Sequence, residues 1–273
     1  MECLHPLNMP GIGLVPCGKC VNCRVNKRSA WIFRLQKEAR KYPFSLFVTL
    51  TYDDEHLHFF GNIPVVCKRD IQLFMKRIRK RYENSGLVFR YFCVSEYGSD
   101  TARPHYHMIL FGFPFGIKKS TDVLFDAWQN GFVKVELLRD SSISYVVKYM
   151  YENSFVPAAL SKYKEYRNFM LCSRRPGIGA SFLDDNICTF YRSNPRSIVR
   201  NSNGLPMAMP RYYKEKLYDD DMKAYLRERS AMFHVEQLPQ HQRLTHEQLL
   251  DKQDRKSNYE QYKESKLKPK KNG

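Results

Sequence analysis

The stretch FSLFVTLTY, Phe44–Tyr52, is rich in β-branched and aromatic residues, which predicts a buried β-strand. Outward from this strand, helical and alternating patterns of apolar residues follow one another along the chain. The predicted elements are a helix starting near Lys68 with the apolar stripe Ile71, Phe74, Met75 and Ile78, strands at Leu87–Tyr97 and His105–Gly112, a helix at Thr121–Asn130 ending at Gly131, a strand at Phe132–Leu138, and a helix from Ser141 or Ser142 to Glu152.

This order of elements, β-α-β-β-α-β followed by a helix, predicts the fold class. It is typical of an α+β protein with a ferredoxin-like (split βαβ) antiparallel sheet, in which the first and third strands are central. The two crossover helices are expected to cover one face of the sheet. The other face is then left for function, with the last helix lying on it.

Composition divides the 273 residues into four predicted segments. Residues 1–42 combine a segment rich in Cys, Pro and Gly with a basic amphipathic helix over Arg24–Lys41. Residues 43–153 form the core domain, and residues 154–233 form an irregular C-terminal extension packed on it. Residues 234–273 are charged and rich in Gln, which predicts a flexible tail.

The charge balance predicts an anionic partner. The chain has 45 Lys and Arg against 28 Asp and Glu, a formal net charge of +17 that is spread along its length. Nucleic acid is favoured over a merely basic surface, because phosphate neutralisation releases counterions and the 18 Tyr and 18 Phe can stack on unpaired bases. No stretch approaches the roughly 18 apolar residues of a membrane span, and the first residues do not resemble a signal peptide. No membrane partner is therefore expected.

The strongest local signal is HYH at His105–His107. Alternation along a strand places His105 and His107 on one face, where two imidazoles can share one metal ion. A hairpin sets Glu96 almost opposite His105 and completes a His, His, carboxylate set for a divalent cation. The competing third ligands are Asp53, Asp54 and Glu55, and the alternative for the histidines is a pair of satisfied polar groups at a sheet edge.

A second signal is YVVKY at Tyr145–Tyr149. In a helix, residues four apart lie on one face, so Tyr145 and Tyr149 present two phenols to the same place. A phenolate that attacks phosphorus in line forms a phosphotyrosine and frees a 3′ hydroxyl, and Lys148 can stabilise charge on the phosphate. The alternative is an aromatic helix that only packs on the sheet.

Two further groups of residues are candidate binding sites. Cys17, Cys20 and Cys23 are spaced as in tetrahedral zinc sites, with Cys3 and His5 upstream as further ligands, although free thiols remain an alternative and an iron–sulfur cluster a weaker one. The segment SRRPGIG, Ser173–Gly179, can present backbone N–H groups to a DNA phosphate, or it can be a plain turn. The predicted DNA-binding residues are Arg174, Arg175 and Arg103.

Three motifs together carry a resemblance to HUH endonucleases. FVTLTY at Phe47–Tyr52, HYH at His105–His107 after Glu96-Tyr97-Gly98, and YVVKY at Tyr145–Tyr149 occur in the order of that superfamily. More closely, the chain resembles the replication initiators of gokushoviruses, which are small single-stranded DNA microviruses of bacteria. The further matching segments are PCGKCVNCR from Pro16, SRRPGIG from Ser173 and PRYY from Pro210.

The resemblance implies rolling-circle replication. It implies a metal-dependent enzyme that nicks DNA at the origin, stays covalently joined to the 5′ end and later rejoins the strand. The implied cofactor is Mg²⁺ or Mn²⁺, with His105 and His107 as ligands, Glu96 as a less secure third ligand, and Tyr145 and Tyr149 as nucleophiles. The implied partners are viral single-stranded DNA, the double-stranded replicative form and the host replication machinery, in the cytoplasm of the bacterial host.

Two alternative functions remain open from sequence. A relaxase or transposase of the same superfamily would use the same chemistry on a different DNA substrate. A non-catalytic, zinc-stabilised DNA-binding or packaging protein would explain the charge and the cysteines. It would give no joint role to the histidine pair and the tyrosine pair.

Overall fold

The structure is a computed structural model that describes residues 3–98, 101–150 and 155–236. The predicted tail lies outside the described residues from residue 237 onward. Within the described ranges, no helix has the length and apolar character needed to cross a membrane.

The described residues form strands, α-helices and short 3₁₀ helices in an interleaved order. These elements are β1 Leu7–Met9, β2 Gly13–Val15, α1 Val21–Ala39, β3 Ser45–Tyr52, β4 Phe59–Phe60, β5 Ile63–Pro64, α2 Lys68–Arg81, β6 Arg90–Tyr97, β7 Pro104–Phe111, α3 Ile117–Trp128, β8 Gly131–Leu137, α4 Asp140–Lys148, 3₁₀ helices at Ala158–Leu160 and Lys164–Tyr166, β9 Met170–Cys172, a 3₁₀ helix at Ala180–Phe182, α5 Asp185–Ser193, β10 Ile198–Arg200, β11 Pro206–Ala208, α6 Arg211–Leu217 and α7 Asp220–Glu236.

The central sheet confirms the predicted fold class. Its five strands are all antiparallel and lie in the order β8-β3-β7-β6-β9. The first four reproduce the ferredoxin-like arrangement, with β3 and β7 central as predicted. The fifth, β9, comes from the extension and was not predicted, because three half-buried residues leave no alternating pattern to detect.

One face of this sheet carries the hydrophobic core. Alternate residues of β3, among them Leu46, Val48 and Leu50, are fully buried there. The predicted stripe of α2 is buried against them, and so is Trp128 at the end of α3. The period of two in the strands and the period near four in the helix therefore meet in one core, as the sequence predicts.

Two helix boundaries differ from the predictions. Helix α3 ends at Trp128, and its left-handed C-terminal cap is Gln129 with φ 60°, not Gly131. Gly131 is needed for another reason: a Cβ there would lie 2.3 Å from the backbone nitrogen of Asp53, so only glycine allows β8 to approach β3 so closely. Helix α4 begins at Asp140 without a side-chain cap and ends at Lys148, short of the predicted Glu152.

The chain divides into two compact units. One comprises residues 34–181 and contains the five-stranded sheet; the other groups the residues up to 33 with those from 182 onward. This division differs from the four predicted segments, because the extension splits at residue 182. Its first part supplies β9, whereas its second part holds α5, α6 and α7 with a core of their own around Tyr213, and is more regular than predicted.

Replacement of Trp128 should cost much of the stability of the sheet unit. Trp128 is fully buried, and its indole N–H donates to the Thr51 carbonyl at 3.1 Å. We expect Trp128→Ala to lower the free energy of unfolding by about 3–5 kcal/mol, because it leaves a cavity and an unpaired carbonyl. Phe125→Ala on the same helix is the control: Phe125 is 56% exposed, so a change under about 0.5 kcal/mol is expected in urea unfolding. Equal losses for the two variants would contradict the burial of Trp128.

Candidate active site

The predicted histidines lie on the face of the sheet opposite to α2 and α3. In the register of β6, β7 and β3, His105 is paired with Glu96 on one side and with Thr51 on the other. His107 is paired with Thr49 of β3. The alternation of β7 therefore places both imidazoles on one face, as predicted, with polar side chains on each neighbouring strand.

Each imidazole is oriented by a threonine that was not among the predicted site residues. The Nδ1 atom of His105 lies 3.1 Å from the Thr51 hydroxyl, and that of His107 lies 3.3 Å from the Thr49 hydroxyl. When Nδ1–H donates to the hydroxyl, the Nε2 lone pair is left for a metal ion. The alternation of FVTLTY placed these threonines on the histidine face, so a pairing of β3 with β7 was the signal that would have found them.

Glu96 is the carboxylate that contacts this pair. Its Oε2 atom lies 2.9 Å from His107 Nε2. Two adjacent ligands of an octahedral ion held at 2.0–2.1 Å lie about 3 Å apart, so this spacing suits two ligands of one Mg²⁺ or Mn²⁺ ion. The ligand atoms of His105, His107 and Glu96 do not all come within 4.8 Å of one another, however, so the set is not closed around a single point.

Two of the competing carboxylates have other partners. Asp53 accepts a backbone hydrogen bond from His56 at 3.0 Å and contacts its imidazole at 2.7 Å. Asp54 pairs with Arg103 at 2.6 Å. Glu96 is therefore better placed as third ligand than either residue.

Helix α4 brings the two tyrosines to the same face of the sheet. Ile143, Val146 and Val147 are buried and fix the helix. The His107 ring is stacked on the Tyr149 ring with centroids 5.2 Å apart, and it meets the Tyr145 ring edge-on at 5.3 Å. The phenols are thus adjacent to the imidazole pair, although they are about 40 residues further along the chain.

The two phenols differ in environment. Tyr145 is 43% exposed, whereas Tyr149 is half-buried. Burial raises the pKa of Tyr149 well above its usual range, and a hydrogen bond with Tyr145 and the charge of Glu96 raise it further. Burial also lowers the pKa of His105, aided by the neighbouring His107, which favours the neutral imidazole that binds metals.

A cleft of about 580 Å³ opens beside Tyr149. Its walls come from β6, from Met150 and from the segment leading into β9. This cleft was not predicted, because that segment carries no clear sequence pattern. The lining residues are Val94, Ser95, Tyr149, Met150, Val156, Ser161, Arg167, Asn168, Phe169 and Met170.

The remaining predicted site residues are placed in different ways. Lys148 is half-buried in the last turn of α4, and Arg174 and Arg175 are exposed at the surface. Arg103 is already engaged, because its guanidinium donates to the Tyr52 carbonyl at 3.1 Å and pairs with Asp54. A DNA contact by Arg103 would have to share these groups.

A buried ion pair, which was not predicted, holds the SRRPGIG segment. Glu38 of α1 contacts the guanidinium of Arg90 at 2.5 Å and accepts from the backbone N–H of Gly179 at 2.6 Å. Arg90 donates to the Pro176 carbonyl at 2.9 Å. The segment is therefore a fixed turn whose neighbouring Arg174 and Arg175 point outward to solvent, since both are exposed.

Two other clusters of metal-ligating residues occur in the described part of the chain. Cys3, Cys17, Cys20 and Cys23 form one, with their sulfur atoms within 4.8 Å of one another. Backbone N–H groups of Cys20 and Lys19 lower the pKa of Cys17 to about 6. The other cluster is His58, Cys67 and Asp70, where Asp70 already accepts from Tyr52 at 2.5 Å and contacts His58 at 2.7 Å.

Fold and site together define a class: an α+β protein whose antiparallel sheet carries paired strand histidines beneath two helix-borne tyrosines. Residues 45–154 match the family described as Replication-associated protein ORF2, and this range contains both motifs. The predicted resemblance to microvirus replication proteins is thereby confirmed at the level of the sequence.

Three phage proteins are similar to this chain, each 28% identical. Replication-associated protein ORF2 of Spiroplasma virus 4 aligns with 74% of this chain and 67% of its own length. Replication-associated protein VP4 of Bdellovibrio phage phiMH2K aligns with 73% of this chain and 66% of its own length. For Replication-associated protein ORF4 of Chlamydia phage 1 the shares are 74% and 53%. The chain thus spans about two thirds of the length of two of these relatives and about half of the third.

A solved structure, the minute virus of mice non-structural protein-1 N-terminal nuclease domain, aligns with 68% of this chain and 88% of its own. The sequence identity is 11% and the TM-score is 0.24. This likeness is too low for any conclusion about fold or activity.

Proposed function

We propose that this protein initiates rolling-circle DNA replication as an endonuclease that nicks single-stranded DNA at the origin through a tyrosine nucleophile. The observation that carries the proposal is the contact of both phenol rings with the His107 imidazole. A packing helix needs no such convergence on polar groups. Similarity to replication-associated proteins of three phages supports the biological role, which is exercised inside the host cell.

His105, His107 and Glu96 are the proposed ligands of a divalent cation, Mg²⁺ or Mn²⁺. The donor set of two imidazoles and one carboxylate, with threonines fixing the imidazoles, suits such an ion. When bound, the ion supplies positive charge that polarises the scissile phosphate. Because the set is not closed around a single point, small side-chain movements of Glu96 are part of the proposal.

The reaction at the tyrosine conserves the energy of the DNA backbone. The phenol oxygen forms a bond to phosphorus, the bond from phosphorus to the 3′ oxygen breaks, and the phenol proton is lost as the leaving oxygen gains one. The product is a 5′-phosphotyrosine and a free 3′ hydroxyl that a host polymerase can extend. Lys148, one residue before Tyr149, is the proposed electrostatic support for the phosphate charge.

The second tyrosine allows the strand to be rejoined. While one phenol holds the first 5′ end, the other can cut the displaced strand after one round. The ring centroids of Tyr145 and Tyr149 are only 4.8 Å apart, so the two phenols can serve one metal site in turn. The more exposed Tyr145 is the proposed first nucleophile, because the neighbouring Glu96 charge opposes loss of the Tyr149 proton.

Covalent capture tests the proposal. A labelled single-stranded origin oligonucleotide incubated with the protein and Mn²⁺ should give a protein–DNA adduct that survives boiling in detergent. A packaging protein would bind the oligonucleotide without forming the adduct. A relaxase or transposase would form it only on a different sequence, so a panel of origin and unrelated oligonucleotides separates these alternatives.

Arg174 and Arg175 are the proposed phosphate contacts. Both are exposed beside the turn that Glu38 and Arg90 hold in place. We expect the double variant Arg174→Ala, Arg175→Ala to bind single-stranded DNA more weakly, with the slope of log K against log salt concentration reduced by about 1.4. The control is Arg81→Ala, an exposed arginine that pairs with Asp126 at 3.0 Å. Fluorescence anisotropy at several salt concentrations measures both, and an unchanged slope in the double variant would exclude this contact.

A further inference from the structure

The N-terminal hairpin has no hydrophobic core of its own. Strands β1 and β2 pair over three residues, and nearly every residue in them is exposed. An isolated two-stranded hairpin is marginally stable in water, so something else must hold it. Cys3 lies just before β1, Cys17 lies just after β2, and Cys20 and Cys23 lie at the start of α1.

The spacing of the four thiols matches the edges of a tetrahedron around one metal ion. The sulfur atoms of Cys3 and Cys20 are 3.9 Å apart, and those of Cys17 and Cys23 are 4.0 Å apart. A zinc ion with Zn–S bonds of about 2.3 Å sets its sulfur atoms about 3.8 Å apart. A disulfide would require about 2.05 Å, so these thiols are not arranged as disulfides.

Backbone N–H groups surround the sulfur atoms. The N–H of Cys17 donates to Cys3 at 3.2 Å, and that of Leu4 donates to Cys20 at 3.5 Å. The N–H groups of Lys19 and Cys20 both donate to Cys17, at 3.4 and 3.3 Å. Such donors stabilise negative charge on sulfur and orient it, as outer-shell groups do in metal sites.

We propose that Cys3, Cys17, Cys20 and Cys23 bind one structural zinc ion. Four thiolates fill a tetrahedral shell and leave no position for water, so the site is structural and not catalytic. An iron–sulfur cluster places several metal and sulfide atoms among its thiolates, which needs more room than four sulfur atoms within 4.8 Å provide. The ion joins the base of the hairpin to the first turn of α1 and replaces the missing core.

Metal analysis of the full chain is the first test. Protein purified without added metal and desalted should contain about one zinc ion per chain by mass spectrometry of the elements. Titration with an organomercurial should release the zinc in step with thiol modification. Cobalt in place of zinc should give thiolate-to-cobalt charge-transfer bands and the strong visible bands of tetrahedral coordination.

Matched variants locate the ligands. Cys17→Ser should reduce bound zinc to under about a tenth of an ion per chain, whereas Cys17→His should retain it, because histidine also binds zinc. Cys188→Ser is the control, since Cys188 is a half-buried thiol of α5 outside the cluster, and it should leave the zinc content unchanged. The release experiment uses only the wild-type chain, so it decides the question even where a variant does not fold.

Three results would overturn the proposal. Disulfides among the four cysteines in protein purified under reducing conditions would show that the thiols pair with each other. Iron with acid-labile sulfide would show a cluster. Zinc-free protein that takes up no cobalt would show free thiols. None of these outcomes depends on DNA cleavage, so the zinc site can fail while the nuclease proposal stands.

Discussion

A chain carrying both Tyr145→Phe and Tyr149→Phe should form no covalent adduct with DNA. Phenylalanine keeps the ring contacts with His107 but lacks the oxygen that bonds to phosphorus. We expect adduct formation to fall by at least about 10³-fold, since no other group supplies the nucleophile. Denaturing gels of a labelled origin oligonucleotide with Mn²⁺ measure this loss directly.

The single variants should separate the two roles. With Tyr145 proposed as first nucleophile, Tyr145→Phe should slow the first cleavage more than Tyr149→Phe does. Mass spectrometry of adduct peptides should place the nucleotide on Tyr145 in the wild-type chain. Tyr225→Phe, at a half-exposed tyrosine of α7, should leave adduct formation unchanged. An adduct that persists in the double variant would refute the tyrosine assignment.

Loss of the histidine pair should remove metal-dependent cleavage. We expect His105→Ala and His107→Ala each to reduce cleavage by about 10³-fold, because a bound cation contributes several kcal/mol to stabilising phosphate charge. Binding of Mn²⁺, followed by calorimetry, should weaken in parallel. Circular dichroism should remain that of a folded chain for His105→Ala, because His105 is half-exposed.

His56→Ala is the matched control for this prediction. His56 is exposed and contacts only Asp53 in the described part of the site region. Its removal should leave Mn²⁺ affinity and cleavage within about twofold of wild type, as expected for a surface substitution. Cleavage by His105→Ala at the wild-type rate, with unchanged dependence on Mn²⁺, would exclude the proposed metal site.

The position of the third ligand illustrates the limit of prediction along strands. Hairpin geometry placed Glu96 opposite His105, and the register is as predicted. The side chain, however, contacts His107, the diagonal neighbour. Cross-strand diagonal neighbours are within reach of long side chains, so the backbone register alone does not decide which contact forms.

The extension shows a second limit. Its segments alternate weakly and carry many turn residues, so sequence predicts an irregular structure there. In the molecule, β9 pairs with the edge of the sheet at β6, and the helices after residue 182 bury residues such as Tyr213 in a separate core. These structures are stabilised by tertiary contacts between distant residues, which local patterns do not report.

Side-chain periodicity was enough to establish the order of the main elements, the central strands, the buried stripe of α2 and the common strand face of His105 and His107. Periodicity is a local property of the backbone, so it can be read from the residues alone. The packing of whole elements was needed to show that Thr49 and Thr51 orient the imidazoles, that both phenol rings meet His107, and that Cys3 joins the other three thiols. Each of these contacts links residues more than ten positions apart, so no local pattern carries its geometry.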